Sequence, residues 1–142
     1  MPVRHHLGVP GFAEYAIVDR SSAVVIDEDV PFDVAAVLGC AMLTGFGAVR
    51  NTAGVSAGDS VTELGLGGVG QAAVLGAVSC GASPVVAVDP VAGKRELALA
   101  LGASHACAPD EAEGLVRSLT GAAAAGCSRR PEYPPSWSRR SR

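Results

Sequence analysis

Between Ser60 and Cys107, short apolar runs alternate with longer stretches in which apolar residues recur at helical spacing. The runs predict three strands and the stretches two helices, in the order Val61–Leu64, Gly68–Cys80, Pro84–Val88, Ala92–Leu101 and Ser104–Cys107. Strands that alternate with helices in this way are typical of a parallel sheet with right-handed crossovers. The sequence therefore predicts an α/β fold containing half of a doubly wound sheet, followed by one more helix, Glu111–Leu119, capped by Asp110.

The residues before this unit follow a different pattern. β-Branched runs at Tyr15–Val18 and Ala23–Ile26 predict two short strands joined by a turn. Helical spacing then predicts a short helix that leads to Gly39-Cys40 and a second helix at Ala41–Thr52. The opening of the chain is therefore expected to be β-rich and then helical.

The pattern divides the chain into three parts. Residues 1–40 contain the β-rich opening, and residues 41–121 contain the second helix and the doubly wound unit. Residues 122–142 lose all periodicity and are rich in Ser, Pro and Arg, which predicts a disordered basic tail. The abrupt change raises the hypothesis of a frameshifted reading of a longer gene, and a natural disordered tail is the alternative.

Composition and charge narrow the function. The chain is 49% hydrophobic with a net charge of −3, and its body lacks the clustered Lys and Arg that nucleic acid requires, so we expect no nucleic-acid partner. The longest apolar stretches, such as Val69–Cys80, are too short to cross a bilayer, so we expect no membrane partner. The four cysteines lack CxxC spacing and no apolar leader follows Met1, which predicts a reducing, cytoplasmic setting.

The candidate chemistry lies in Gly65-Leu66-Gly67-Gly68-Val69-Gly70, between the first strand and the first helix of the unit. A GxGxxG spacing alone is a weak signal in a chain with 18 glycines, and a merely flexible loop is the alternative. Here Gly65 follows a strand and allows a tight turn, Gly67 lets backbone approach a pyrophosphate, and Gly70 lets the helix pack closely. The helix amino terminus adds N–H donors for phosphate. We interpret the loop as the pyrophosphate-binding turn of a dinucleotide site.

The residues after the second strand indicate which dinucleotide is bound. Asp89 ends that strand, where a carboxylate accepts hydrogen bonds from the adenosine ribose and repels a 2′-phosphate, which favours NAD over NADP. Lys94 and Arg95 follow, and a cation there could meet the ribose or adenine. A solvated helical turn is the alternative for both residues, and the one we favour for Arg95.

These residues resemble the zinc-dependent medium-chain alcohol dehydrogenases, especially the classical alcohol and thiol-linked formaldehyde dehydrogenase branch. The resemblance runs from His5 to about Leu119 and is carried, in the family's order, by His5-His6-Leu7-Gly8, Phe12–Tyr15, Gly39–Gly47, Gly65–Gly70, Val86–Asp89 and Leu101-Gly102-Ala103. It implies a Rossmann domain preceded by the β-rich end of a GroES-like catalytic domain. The implied reaction is oxidation of an alcohol to an aldehyde by hydride transfer to NAD.

The resemblance also implies roles for single residues. Cys40 is similar to the last of three protein ligands of the catalytic zinc, although the residues alone would make it a small buried side chain. Thr44 resembles a catalytic residue that, like Val69, lines the nicotinamide, and Lys94 one beside the ribose. The implied cofactor-binding set is Thr44, Gly65, Gly67, Gly68, Val69, Gly70, Asp89 and Lys94. Full-length relatives are expected to be homo-oligomers acting on small alcohols or aldehydes.

The chain also departs from the family. The family's other zinc ligands, proton relay and structural-zinc lobe lie before the matching stretch, so the zinc site is incomplete and we expect the isolated chain to be inactive. The alternative is a non-catalytic nucleotide-binding fragment or pseudo-enzyme. A zinc-free quinone or enoyl reductase is disfavoured by Cys40 and Asp89.

Other polar residues receive structural interpretations. Glu63 occupies a strand position where the family has an apolar residue, so we expect a raised pKa or a displaced strand, and a ribose or metal contact is less favoured. His5 and His6 point to opposite faces of a strand and cannot both bind one ion. We assign the remaining candidates to packing: Cys80, His105 and Cys107.

Overall fold

The computed structural model describes residues 14–121. In this range a long helix packs on a three-stranded parallel sheet that carries helices on both faces. The elements in chain order are α1 (Phe32–Thr52), β1 (Val61–Leu64), α2 (Gly68–Ser79), β2 (Val85–Val88), α3 (Ala92–Ala100), β3 (His105–Cys107) and α4 (Ala112–Thr120).

The sheet has the order β1-β2-β3, with Val61 beside Val85 and Val86 beside His105. All four residues of β2 are buried, because this central strand is covered on both faces. One core joins α2 and α3 to the sheet and includes Val61, Val74, Ala77, Val85, Ala87 and Ala98. The other lies under α4 and consists of Val86, Val88, Cys107, Ala112 and Val116.

Helices therefore change faces after the third strand, as in the first half of a doubly wound sheet. The predicted α/β fold class, the three strands and the helices between them are confirmed. The cap predicted for α4 is wrong, because the residue before the helix is Glu111. Its Oε2 accepts a hydrogen bond from the Ala108 N–H at 3.3 Å, and that contact holds the turn in place of Asp110.

The predicted interruption at Gly39-Cys40 is wrong, because α1 is continuous. Its α-helical segments Phe32–Val37 and Leu43–Gly47 alternate with π-helical turns at Leu38–Met42 and Ala48–Thr52. A π-turn accommodates an extra residue without ending the helix, so the glycine lies in a wide turn. At 21 residues, α1 is long and apolar enough, by length and composition, to cross a membrane. The expectation that no apolar stretch is long enough to cross a bilayer is wrong, because the helix continues through Gly39-Cys40.

Small residues join α1 to α2. A Cβ added at Gly45 would overlap the Val69 carbonyl oxygen and lie 2.8 Å from Ala72 Cβ. On the other helix, a Cβ at Gly76 would lie 3.2 Å from Phe46 Cα. Backbones can approach this closely only where side chains are missing, and the contact buries Gly45, although most of α1 is exposed.

The strands predicted at Tyr15–Val18 and Ala23–Ile26 are wrong. Both segments have exposed side chains and flank a 3-10 turn, Arg20–Ser22, whose cap Asp19 accepts a hydrogen bond from the Ser21 N–H at 2.8 Å. Within residues 14–121, neither segment pairs with a strand. An isolated hairpin is marginal in water, so without a sheet partner these β-branched residues gain little from pairing. The predictions for His5, His6 and residues 122–142 lie outside the described residues.

Candidate functional site

The glycine loop leaves β1 through a turn that requires glycine. Gly65 has φ +91°, a conformation that residues with a Cβ rarely adopt. Its N–H donates to the Val88 carbonyl at 2.8 Å, which ties the start of the loop to the end of β2. Leu66 follows with its side chain fully buried in the core. The loop is therefore anchored to the sheet at its first two residues.

Asp89 holds the loop from the neighbouring strand. Asp89 is only 4% exposed. Its Oδ2 accepts a hydrogen bond from the Leu66 N–H at 2.8 Å, and its Oδ1 accepts one from the Val91 N–H at 2.8 Å. The Lys94 ammonium lies 3.7 Å from Oδ2. The Val91 bond, then the Leu66 bond and the nearby ammonium lower the pKa of Asp89 below its usual value. Each carboxylate oxygen keeps a further acceptor site, so hydroxyl groups of a ligand can still be bound.

Two further glycines of the loop, Gly67 and Gly70, have different surroundings. Gly67 is in extended backbone, and a Cβ added there would meet no atom within 4 Å. At Gly70 a Cβ would overlap the Gly65 carbonyl oxygen, because the first turn of α2 packs directly on the loop. The structure thus has open space above Gly67 and close backbone packing at Gly70.

The first turn of α2 presents backbone donors at the same place. The residue before the helix is Gly67, which supplies no side-chain cap. The helix continues for 12 residues, so its amino terminus carries partial positive charge beside the open face of the loop. This combination of uncapped N–H groups and open space suits an anionic group such as a pyrophosphate.

Two side chains, Arg95 and Gln71, donate hydrogen bonds to backbone carbonyls in the segment after β2. The sequence did not predict these contacts. The Arg95 guanidinium donates to the Asp89 carbonyl at 2.7 Å and the Pro90 carbonyl at 3.0 Å, so this partly exposed side chain also holds the backbone after β2. Gln71 Nε2 donates to the Lys94 carbonyl at 2.8 Å. A polar residue directly after Gly70 in an otherwise apolar helix was the available signal for this bridge.

Cys40 and Thr44 lie one turn apart on α1 and are exposed. Their neighbours touch the start of α2: Ala41 Cβ lies 3.5 Å from the Cβ position of Gly68, and Gly45 packs on Val69. The burial that residue type alone suggested for Cys40 is not observed. Across residues 14–121, no three His, Cys, Asp or Glu side chains converge, so the donors around Cys40 do not fit a catalytic zinc, which needs three protein ligands.

Glu63 lies under the loop. It points to the α2 face of β1, and its Oε1 is 3.3 Å from the Cβ position of Gly70. Burial raises the pKa of Glu63 to about 7, as the sequence analysis expected. The strand is not displaced, since Glu63 pairs in register with Ala87.

The residues assigned to packing occupy different environments. Cys107 is 5% exposed in the core under α4, and burial raises the pKa of its thiol. Cys80 is half-buried at the end of α2. His105 begins β3, and its Nδ1 is buried without a hydrogen-bond partner in the described part of the chain. The packing interpretation therefore holds most directly for Cys107.

A parallel sheet with a glycine turn after its first strand and an acidic residue after its second is the first half of a Rossmann fold. Comparison with known proteins supports this fold assignment. A family model described as zinc-binding dehydrogenase matches residues 68–127. The chain is 54% identical over 94 residues to alcohol dehydrogenase B of Mycobacterium tuberculosis, covering 66% of this chain and 25% of that protein.

Two further matches agree with these. The chain is 46% identical over 110 residues to the NDMA-dependent alcohol dehydrogenase of Amycolatopsis methanolica, covering 77% of this chain and 30% of that protein. The crystal structure of benzyl alcohol dehydrogenase from Acinetobacter calcoaceticus superimposes with a TM-score of 0.65 at 37% identity, over 69% of this chain and 28% of that one. Over the matched part, the chain belongs to the zinc-dependent medium-chain alcohol dehydrogenase family. It spans about a quarter to a third of the length of these relatives.

Proposed function

We propose that the chain carries the first half of the NAD-binding domain of an alcohol dehydrogenase, and that the 142-residue chain by itself binds NAD without turning over an alcohol. The observation that carries the proposal is the buried Asp89 carboxylate, which holds the glycine loop through the Leu66 N–H. It joins the ribose-binding and phosphate-binding parts of a dinucleotide site in one contact. Full-length relatives of this family use NAD and zinc.

The described residues fit a dinucleotide. Gly67, Gly68 and Val69 would offer backbone N–H groups and open space to the pyrophosphate. Asp89 would accept hydrogen bonds from the adenosine ribose and exclude a 2′-phosphate, with Lys94 beside it. Gly65 and Gly70 would keep the loop in shape, and the Thr44 side of α1 would face the nicotinamide end. Bound NAD would supply an acceptor for a hydride.

The residues do not fit a resident zinc. Cys40 would be one ligand of a metal site whose other ligands are absent from the described part of the chain. A lone thiol does not hold zinc against competing ligands, because coordination by three protein groups defines such a site. We therefore derive no chemical step through a metal, and we propose that Cys40 and Thr44 act in catalysis only where a complete ligand set is present.

The wider setting follows from the same family. We propose a small alcohol or aldehyde as substrate, a cytoplasmic setting, and homo-oligomers for full-length relatives, with residues 1–40 as the end of the catalytic domain and residues 41–121 as the cofactor part. A net charge of −3 supports the absence of a nucleic-acid partner. Most of α1 is exposed, and its contact with α2, which buries Gly45 and Val49, is the observation that supports the absence of a membrane partner.

A second candidate function is a non-catalytic nucleotide-binding protein. The specific observation in its favour is that no group of metal ligands forms within residues 14–121. The two candidates differ in whether any alcohol is oxidised, and they share the NAD site.

Calorimetric titration of the purified chain with NAD and NADP, together with measurement of its zinc content, tests the proposal. We expect saturable NAD binding, weaker NADP binding and far less than one zinc per chain. We also expect no NAD reduction with ethanol or a thiol–formaldehyde adduct. Absence of NAD binding would overturn the proposed site, and zinc-dependent NAD reduction by this chain would overturn the claim that it is inactive alone.

The control separates the site from general binding of nucleotides. Gly114 lies on α4 with open space around its Cβ position, away from the loop, so Gly114→Ala should leave NAD affinity unchanged. Gly67→Ala adds the same methyl group where the pyrophosphate would approach, and it should weaken NAD binding by about tenfold or more. Equal affinities for the two variants would contradict the placement of the cofactor.

A further inference from the structure

Glu63 carries a carboxyl group on the face of β1 that otherwise packs in the apolar core. It shares the α2 face of β1 with Val61, which is buried in the core, and is half-buried. Its Oε1 lies 3.3 Å from the position that a Cβ would occupy at Gly70, in the first turn of α2. The carboxyl group is thus beneath the turn whose other side is open above Gly67.

The elements that pack around Glu63 offer it no counter-charge. Neither α2 nor β2 carries a titratable side chain. The ionisable residues of α1, which also packs on α2, are Asp33, Cys40 and Arg50. Those of α3 and of the turn before it are Asp89, Lys94, Arg95 and Glu96. Lys94 pairs with Asp89, and Arg95 is held by the backbone carbonyls after β2.

The positive end of α2 could in principle stabilise an ionised Glu63. The pKa of this group is nevertheless raised to about 7, and its cause is burial. The protonated and ionised forms of Glu63 are both populated near neutral pH.

We infer that Glu63 is an affinity-determining residue of the cofactor site: once ionised, its carboxylate opposes the negative charge of a pyrophosphate bound over the Gly65–Gly70 loop. This inference rests on the proposed function. Glu63 lies against the first turn of α2 at Gly70, and the pyrophosphate would bind at the amino terminus of the same turn. A like charge in this position weakens binding even without contact, because a partly buried charge is screened less than one in bulk water.

The sign of the effect follows from linkage. A bound pyrophosphate disfavours the ionised form of Glu63, so NAD binds better to the protonated protein and its affinity falls as pH rises through about 7. Asp89 stays ionised over this range, because its pKa is lowered. We expect NAD affinity to drop by roughly fivefold between pH 6 and pH 8, the size of one partly screened like charge.

The test is calorimetric NAD titration at several pH values with the full 142-residue chain and two variants. Glu63→Gln keeps the size of the side chain and removes its charge, so its NAD affinity at pH 8 should match that of the unmodified chain at pH 6. Glu96→Gln removes an exposed carboxylate on α3 and is the matched control, which should retain the pH dependence of the unmodified chain. Circular dichroism at each pH establishes that every sample is folded.

The outcomes distinguish the inference from the proposal on which it rests. A flat profile for Glu63→Gln beside a falling one for Glu96→Gln supports the inference. Parallel profiles for all three proteins, with NAD bound by each, overturn the role of Glu63 and leave the cofactor site standing. If none of them binds NAD at pH 6, the proposed function fails and this inference fails with it.

Discussion

Asp89 accepts a hydrogen bond from the backbone N–H of Leu66 over 2.8 Å, across 23 positions of sequence, and both residues are buried. One carboxylate oxygen thereby fixes the second residue of the glycine loop, while the other fixes Val91 after β2. The residue proposed to select the cofactor is therefore also the one that shapes the loop. Substitutions at Asp89 should affect the fold and the ligand together, and the two effects can be measured separately.

We expect Asp89→Asn to destabilise the loop and to reduce the preference for NAD over NADP. An amide presents an N–H group in place of one oxygen, so the Leu66 or the Val91 N–H loses its acceptor. The loss of negative charge also removes repulsion of a 2′-phosphate. Calorimetry should show a ratio of NADP to NAD dissociation constants that falls by about tenfold, and urea unfolding followed by circular dichroism should show a lower midpoint.

Asp59→Asn is the matched control for this substitution. Asp59 also uses its carboxylate to accept a backbone N–H, that of Ser56 at 2.8 Å, but it lies before β1 and away from the loop. Asparagine keeps one oxygen for the Ser56 N–H, so this variant should change the unfolding midpoint little and leave the cofactor preference unchanged. A change of preference equal to that of Asp89→Asn would contradict a specific role for Asp89 in recognition.

An added methyl group should have opposite effects at Gly70 and at Gly67 of the loop. Gly70→Ala places a Cβ against the Gly65 carbonyl oxygen, which is backbone and cannot move aside. We expect a loss of about 1–3 kcal/mol in the free energy of unfolding, the usual cost of overpacking. Gly67→Ala adds the methyl group to open, extended backbone and should change stability by less than about 0.5 kcal/mol. Urea denaturation of both variants checks this, and equal stabilities would contradict the described packing.

The contact between α1 and α2 predicts that glycine-to-alanine substitutions at two positions of α1 will have opposite effects on stability. Gly45→Ala must separate the helices, because its Cβ would overlap the Val69 carbonyl and approach Ala72. We expect a loss of about 1–3 kcal/mol and weaker NAD binding, since the adjacent Thr44 face would move away from the loop. Gly39→Ala, on the same helix with no atom within 4 Å of its Cβ, should instead gain up to about 1 kcal/mol from helix propensity. Stability lost equally at both positions would show that α1 does not depend on close packing.

The parallel sheet was predictable because its determinants are local. Val85–Val88 is a short, continuous apolar run rich in β-branched residues, typical of a strand buried on both faces, and Gly65 and Asp89 mark the ends of β1 and β2. The first part of the chain was not predictable in this way. Strands at Tyr15–Val18 and Ala23–Ile26 need partners at a distance in sequence, whereas a β-branched pattern reports only on the segment itself.

The site was predictable to a similar degree. Glycine positions and an acidic strand end follow fixed spacing, so the loop and Asp89 could be found from sequence. The bridges from Gln71 and Arg95 to backbone carbonyls depend on how α2 and α3 lie against the end of β2, which no spacing rule encodes. The continuity of α1 through Gly39 likewise depends on π-helical turns.

Glu63 also makes a prediction about stability that needs no ligand. Its pKa in the folded chain is about 7, above the ordinary value of 4.5 that it regains on unfolding. Glu63 is protonated in both states below pH 4.5, so its ionisation takes nothing from the stability there. Between pH 4.5 and 7 the unfolded chain ionises first and the folded state loses stability, and above pH 7 the loss is complete. With allowance for a half-exposed group, we expect the free energy of unfolding to decline by about 1–2 kcal/mol across this window.

Glu63→Gln should flatten the dependence of the unfolding free energy on pH in this window and should unfold at higher urea concentration at pH 8, whereas Glu96→Gln should follow the unmodified chain. Urea midpoints of Glu63→Gln that fall with pH as steeply as those of the unmodified chain would show that Glu63 keeps its ordinary pKa and is solvated in the folded state.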